Sequence, residues 1–184
     1  MSSPDLFVPS RRTLLRSIAV TGLGLPLAAC FRPLYGPTAS GERLDDVMAA
    51  IDVAPIAVSQ PSYDRAGHYL RNELIFALNG SGQPRPKRYR LAVTYDQRVQ
   101  AAIINTVTGR AETANMTGDV SYTLTHLADD KAVTSGKATG HISYDRSQQR
   151  FATVRAARDA EIRLAKVLSD QLRTRLATAL ATRA

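Results

Sequence analysis

Apolar and polar side chains alternate along four segments of the chain, over residues 47–53, 89–103, 114–124 and 132–144. Successive side chains of a β-strand point to opposite faces, so an alternation with a period of two predicts strands that bury one face. Pro55, which has no backbone N–H to donate, ends the first segment. The pattern therefore predicts four strands, of which the last three follow one another directly.

The connections between the later strands carry residues that are typical of turns. Gly109 lies in the segment 105–110 and can adopt the positive φ that a tight turn needs. Asp129 and Asp130 are suited to the next turn, since short acidic side chains can hydrogen-bond to the nearby backbone. A bulge is expected near Gln97, in the longest of the strands.

Two segments have a helical period instead. One apolar stripe runs from Ala66 to Leu78, with Ser62 as the expected N-cap and glycines after residue 79 that end the helix. A second, uninterrupted stripe runs over residues 151–180. The order β-α-β-β-β-α predicts an α+β fold, a two-layer sandwich in which two amphipathic helices cover one face of a mostly antiparallel, four-stranded sheet. The other face is rich in threonine and serine.

The N-terminal segment has the features of a bacterial export signal. Arginines precede a short apolar run at 17–29, which is shorter than the about 20 residues that a transmembrane helix needs. The run ends in Leu-Ala-Ala followed by Cys30, the only cysteine, and this pattern resembles the lipobox of bacterial lipoproteins. We expect residues 1–29 to be removed, residues 30–45 to form a lipidated N-terminus and tether, and residues 46–184 to form one domain.

Three stretches resemble the LptE family of lipopolysaccharide (LPS) assembly lipoproteins, in its alphaproteobacterial form. They are the Phe-Arg-Pro-Leu-Tyr-Gly sequence at 31–36, the Leu-Arg-Asn-Glu-Leu sequence at 70–74, and the arginine- and alanine-rich segment at 151–180. The resemblance implies a non-enzymatic lipoprotein of the outer membrane, anchored on its periplasmic side through Cys30. It also implies that the protein plugs the lumen of the β-barrel LptD and helps to pass LPS to the outer leaflet, without a cofactor.

The formal net charge of +8 favours anionic partners, and export argues against nucleic acid as one of them. Arginine binds phosphate through paired donors, and the LPS that the resemblance implies as a ligand carries phosphates. Arg110, at a turn between long strands, and Arg155, where the family tends to carry a basic residue, are candidate LPS contacts. Arg85, Lys87 and Arg88 form a second candidate patch. Ordinary solvated charges are the alternative interpretation for each of these residues.

The sequence contains no pattern that indicates catalysis. His68, His126 and His141 lack metal-ligand spacing with one another or with Cys30, and the serines lie in no nucleophile motif. We therefore predict no enzyme, no metal and no cofactor. Two other classes stay open: an accessory lipoprotein of an ABC-type lipid transport system, which would bind a transporter and enter no barrel, and a small periplasmic hydrolase.

Overall fold

The computed structural model describes residues 41–80, 85–104, 106–107 and 109–183. Cys30, the predicted signal and the first part of the predicted tether lie outside the described residues. In chain order the elements are α1 (Leu44–Ala49), β1 (Ile51–Val53), β2 (Ala57–Val58), a 3-10 turn (Pro61–Tyr63), α2 (Asp64–Asn79), β3 (Tyr89–Ile104), β4 (Ala111–His126), β5 (Ala132–Asp145) and α3 (Arg150–Arg183).

The sheet is an antiparallel meander with a divided edge strand. β4 pairs with β3 on one side and with β5 on the other, both antiparallel. β1 and β2 pair in parallel with the free edge of β3, Ile51 opposite Tyr89 and Ala57 opposite Thr94. Pro55 lies between the two short strands and interrupts the ladder because it has no N–H to donate. The predicted α+β class and the order of the long elements are confirmed, with five strands in place of four.

The predicted first strand over residues 47–53 is wrong in its first half. The chain there forms α1, and only Ile51–Val53 is a strand. Leu44, Val47 and Met48 are buried at helical spacing, and two aspartates in the first turn suit the positive end of a helix. Val47 fits both the alternating pattern of a strand and the spacing of a helix, so the sequence of such a short segment is compatible with either.

The start of α2 also differs from the prediction. Ser62 lies inside the 3-10 turn and is not the N-cap. The α-helix starts at Asp64, after Tyr63, and no side chain caps its first amides. A proline at the first position of the 3-10 turn, Pro61, fixes the backbone there and starts the helical segment without a side-chain cap.

The bulge in β3 lies closer to the hairpin than predicted. Gln97 is in regular register with Gly118, and the register shifts between Ala101 and Ile103 instead. Gln97 is buried on the apolar face, where its side-chain oxygen accepts a hydrogen bond from the Tyr95 hydroxyl at 2.7 Å. Burial also raises the pKa of Tyr95. A satisfied polar pair, rather than a break in the strand, explains the polar residue at this position.

The two predicted turns are confirmed. Gly109 has a φ of 66° between β3 and β4, and Asp130 has a φ of 51° between β4 and β5. Asp129 accepts a hydrogen bond from the Lys131 amide and is paired with His126 at 3.0 Å, which lowers the pKa of Asp129. These contacts fix the second turn locally.

The core is formed where α3 crosses the apolar face of the sheet. Leu164 and Leu168 of α3 are fully buried and rest on Gly118 and Gly140, which are paired across β4 and β5. A Cβ atom at Gly140 would lie 3.0 Å from Leu164 Cδ1, and one at Gly118 would lie 3.1 Å from Leu168 Cδ1. The two glycines therefore form a notch that allows the helix to approach the sheet closely.

Filling this glycine notch is expected to destabilise the fold. Gly140→Val introduces a branched side chain against two buried leucines, and overpacking of this kind costs about 1–3 kcal/mol. Ser135→Val is the matched control, because Ser135 is exposed on the same strand and on the opposite face. Urea unfolding of both variants measures the difference; equal midpoints would show that the helix can move away from the added methyl groups at no cost.

An ion pair joins the two long helices. Arg65 of α2 contacts both carboxylate oxygens of Glu161 of α3, at 2.8 and 2.9 Å. The Glu161 side chain is only 10% exposed, whereas that of Arg65 is 55% exposed. The hydrogen bonds that Arg65 donates to the Glu161 carboxylate raise the pKa of Arg65. The carboxylate is therefore the partner that loses more solvent and depends more on the pair.

Removing Arg65 alone is expected to cost more than removing both members of the pair. Arg65→Ala leaves Glu161 desolvated without its partner, which costs about 1–3 kcal/mol. The double variant Arg65→Ala/Glu161→Leu no longer buries a charge, so we expect it to recover part of that loss. Thermal unfolding of the wild type, both single variants and the double variant gives the coupling energy. Additive single effects would contradict this account of the pair.

Candidate functional site

Three arginines meet at the end of the sheet where the β3–β4 hairpin turns, which we call the hairpin end (residues 99–104, 106–107, 109–112 and 145–155). Antiparallel pairing brings the start of β4 beside the end of β5, with Thr113 opposite Asp145. The Arg146 amide then donates to the Glu112 carbonyl oxygen at 2.8 Å. Because α3 begins only a few residues later, one end of the molecule collects side chains from the hairpin, from β5 and from the first turn of α3.

A surface hollow of about 440 Å³ lies between these elements. It is lined by Arg110, Ala111, Arg146, Ser147, Gln148, Arg150, Thr153 and Val154. Its three arginines are exposed, and none has a side-chain hydrogen bond or ion pair with another residue that the structure describes. Their guanidinium groups are therefore available to an anion from outside the chain.

Hydrogen bonds hold the turn between β5 and α3 in a defined conformation. The Ser147 amide donates to Thr153 Oγ1 at 3.0 Å, and the Thr153 hydroxyl donates to the Ser147 carbonyl oxygen at 2.9 Å. The Gln149 amide donates to Ser147 Oγ at 3.1 Å. Arg146 and Arg150 flank this turn, so their backbone positions are fixed before any ligand binds. The positive end of the α3 helix dipole adds a favourable field for an anion.

Large apolar side chains are exposed beside the hollow. Ile103 and Ile104 are each 57% exposed on the hairpin, and Val107 at its turn is 91% exposed. Phe151 and Val154, in the first turns of α3, are 78% and 57% exposed. Exposed apolar residues that lie together, unlike scattered ones, commonly mark an interaction surface.

The first pair of sequence-predicted residues lies at this end. Arg110 lines the hollow directly. Arg155 is exposed on the helix one turn after Phe151, beside the hollow but outside its lining. The structure thus brings the two residues to the same end of the molecule and adds Arg146 and Arg150, which the sequence interpretation missed. Both arginines could have been identified from the sequence by pairing the start of β4 with the end of β5, since Arg146 and Arg150 follow that end directly.

The second predicted patch lies at the opposite end, about 50 Å away along a 16-residue strand. Arg85 pairs with Asp46 at 2.7 Å, and Arg88 contacts Glu42 at 3.1 Å. The Lys87 ammonium donates to two backbone carbonyl oxygens, at the end of α1 and the start of β1, both at 2.9 Å. These cations connect the first elements of the domain to the segment before β3, so their charge is largely used within the fold.

The sheet face opposite the helices is polar and is covered by no other described element. At its centre Asp119 pairs with Arg98 at 2.5 Å and accepts a hydrogen bond from the Thr139 hydroxyl at 2.7 Å. Ser143 donates to the Asn115 side chain at 2.8 Å. Many other outward positions carry hydroxyl side chains, as the alternation predicts: Thr94, Thr117, Ser121, Thr123, Thr125 and Ser135.

The described part of the chain contains no group of three or more His, Cys, Asp and Glu residues that could hold a metal ion. The His126–Asp129 pair belongs to a turn at the end of the sheet away from the hollow, where the His126 ring also packs on Tyr89. Within the same ranges, no helix combines the length and the apolar character needed to cross a bilayer.

A solved structure shares this architecture, and others match it more weakly. A lipoprotein from Caulobacter crescentus CB15 matches with a TM-score of 0.58 and 23% identity, over 75% of this chain and 96% of that one. Rare lipoprotein B from Shewanella oneidensis matches with a TM-score of 0.48 and 11% identity, over 69% of this chain and 95% of that one. The sequence matches no curated protein. The fold is thus the two-layer α+β sandwich also seen in a bacterial lipoprotein.

The family follows from the sequence match. Residues 48–176 match the model of the family LptE, described as Lipopolysaccharide-assembly. The match covers well over half of the chain, from α1 to the last turns of α3. The chain therefore belongs to the LptE family, and the family resemblance seen in the sequence is confirmed.

Proposed function

We propose that this protein is an outer-membrane lipoprotein that partners and plugs an LptD-like β-barrel and supports the transfer of LPS to the outer leaflet. In this proposal residues 1–29 are removed, Cys30 carries the lipid on the periplasmic side, the segment between Cys30 and α1 forms the tether, and the domain from α1 onward forms the plug. Membership of a lipopolysaccharide-assembly family supports the general role. The structural observation that supports a barrel partner is the polar sheet face, which no other described element covers.

That sheet face has the chemistry that a barrel lumen requires. The interior of a large outer-membrane barrel is lined by polar side chains, so a plug must offer hydrogen-bonding groups rather than an apolar surface. The outward face offers hydroxyl groups around the Arg98–Asp119 pair, whose opposite charges balance each other. Hydroxyl groups and a paired charge of this kind can exchange water for polar lumen groups without leaving either member of the pair uncompensated.

The arginines at the hairpin end supply the proposed LPS contact. Arg110, Arg146 and Arg150 surround one hollow without side-chain partners among the described residues, and Arg155 lies beside them. Guanidinium groups bind phosphate through paired N–H donors, and lipid A and the inner core carry phosphates. In this proposal Arg85, Lys87 and Arg88 have a structural role, because each already has partners within the fold.

No catalytic step or cofactor is part of the proposed function. The protein acts by occupying the lumen, by stabilising the barrel during assembly and by receiving LPS at the hairpin end. An accessory lipoprotein of an ABC-type lipid transporter is the competing function, since it also needs an anchored domain that handles an anionic lipid.

Cross-linking from the polar face separates the two functions. A photoreactive residue at Ser121, in the full chain with a tag after Ala184, is expected to give one adduct with a large, heat-modifiable β-barrel in outer membranes. Asn72, exposed on α2 in the other layer, is the matched position for comparison. Adducts with transporter subunits, or no barrel adduct from Ser121, would contradict the plug function.

Reversing charge in the hollow is expected to weaken LPS binding. Hydrogen bonds to a charged group contribute about 1.5–3 kcal/mol, so Arg110→Glu and Arg146→Glu should each lower LPS retention about tenfold or more. Arg155→Glu, outside the hollow, should have a smaller effect. Arg90→Glu is the matched control, because Arg90 is exposed at the far end of β3. Retention that is equal in Arg110→Glu and in the control would remove the hollow as the LPS contact.

A further inference from the structure

The exposed apolar residues of the chain are concentrated at one place. Eight large apolar side chains are strongly exposed in the described ranges, and six of them lie at the hairpin end, against one on α2 and one further along α3. The six are Val99, Ile103, Ile104, Val107, Phe151 and Val154. Scattered exposure would need no explanation, but a cluster on one end of a small domain does.

Packing within the domain does not account for this cluster. β1 and β2 cover the edge of β3 only as far as Tyr95, so no described strand pairs with that edge beyond it. Every residue from Arg98 to Ile104 is exposed, whichever face of the strand it occupies. The apolar side chains of this segment therefore contribute little to the core, and Thr would also suit these exposed strand positions.

The apolar cluster and the arginine hollow form one continuous surface. Val154 belongs to both, since it lines the hollow and is 57% exposed. Phe151 directly follows Arg150 in the chain, and Arg155 is its neighbour one helical turn later. A ligand bound by the guanidinium groups would thus have apolar side chains within reach on both the hairpin and the helix.

We propose that the hairpin end binds a single phosphorylated, multiply acylated lipid in two parts, with the phosphate in the arginine hollow and acyl chains against Ile103, Ile104, Val107, Phe151 and Val154. The proposal rests on the proposed role in LPS transfer and adds which part of the lipid the protein shields from water. Charge complementarity selects this ligand: a purely apolar partner leaves three arginines unpaired, and a simple phosphate leaves the apolar cluster exposed. The apolar side chains would replace the neighbouring acyl chains that a lipid loses when it leaves an aggregate.

Binding of one headgroup with and without its acyl chains tests the proposal. The protein is the full chain carrying Cys30→Ser, and the probes are a bisphosphorylated glucosamine disaccharide in acylated and deacylated forms. We expect the wild type to bind the acylated form at least about tenfold more tightly. The double variant Ile104→Ser/Phe151→Ser should reduce that ratio to near one and leave the affinity for the deacylated form unchanged.

Phe76→Ser is the matched control, because Phe76 is 70% exposed on α2 at the other end of the molecule. It should leave both affinities as in the wild type, and all variants should keep the wild-type unfolding midpoint. Arg110→Gln/Arg146→Gln should weaken binding of both probes, which separates the phosphate part of the site from the acyl part.

The outcomes distinguish this proposal from the function on which it rests. An acyl-dependent gain that persists in Ile104→Ser/Phe151→Ser overturns the acyl site and leaves the phosphate site standing. Absence of binding of either probe to the wild type contradicts LPS transfer itself. Equally tight binding to phosphatidylglycerol vesicles would show docking on a bilayer surface instead. A photoreactive residue at Ile104 that cross-links only to a protein strand, with or without added lipid, would show that the free edge of β3 binds a protein partner instead.

Discussion

Close contact between α3 and the paired glycines Gly118 and Gly140 determines the arrangement of the whole molecule. Side chains at these two positions would hold the helix away from the sheet, and the leucines that now fill the core would lose contacts along the helix. Because α3 must lie over this notch, both long helices occupy one face and the other face stays open. Because α3 follows β5 after a turn of only a few residues, its first turn must lie beside the β3–β4 hairpin. The polar face and the hairpin end therefore both follow from one packing constraint.

This arrangement divides the basic residues of the chain into two groups with different roles. At the α1 end the cations contact carboxylates and backbone carbonyl groups, and Lys87 satisfies two carbonyl oxygens that the short first elements leave without partners. At the hairpin end the arginines have no such contacts within the described chain. Net charge alone would treat the two groups alike. The local partners decide that one group stabilises the fold and that the other remains available for an anionic ligand.

The sequence predicts this fold well where the periodic segments are long and poorly where they are short. The alternation in β3, β4 and β5 extends over residues 89–103, 114–124 and 132–144, which is at least 11 residues in each strand, so a competing helical pattern is excluded. In α1, six residues fit either pattern, and contacts with the later helices decide in favour of the helix. Arg110 could be identified from its turn, whereas Arg146 and Arg150 become neighbours of it only through strand register. The packing of α3 against Gly140 could not be predicted either, because a glycine in a strand does not indicate which side chain packs on it.

The dimensions of the sheet connect the proposed anchor with the proposed lipid site. The first described residues lie beside the start of β3, where Glu42 pairs with Arg88, and Cys30 precedes Gly41 by eleven residues in the sequence. The hairpin lies at the other end of β3, about 50 Å away for 16 residues. The apolar band of an outer-membrane barrel is about 25 Å tall. A plug of this length, tethered at its α1 end to the periplasmic leaflet and oriented along the barrel axis, would therefore carry its lipid site past the level of that leaflet. The same strand length that would fill the lumen with polar groups would then also separate the site of attachment from the site of lipid release.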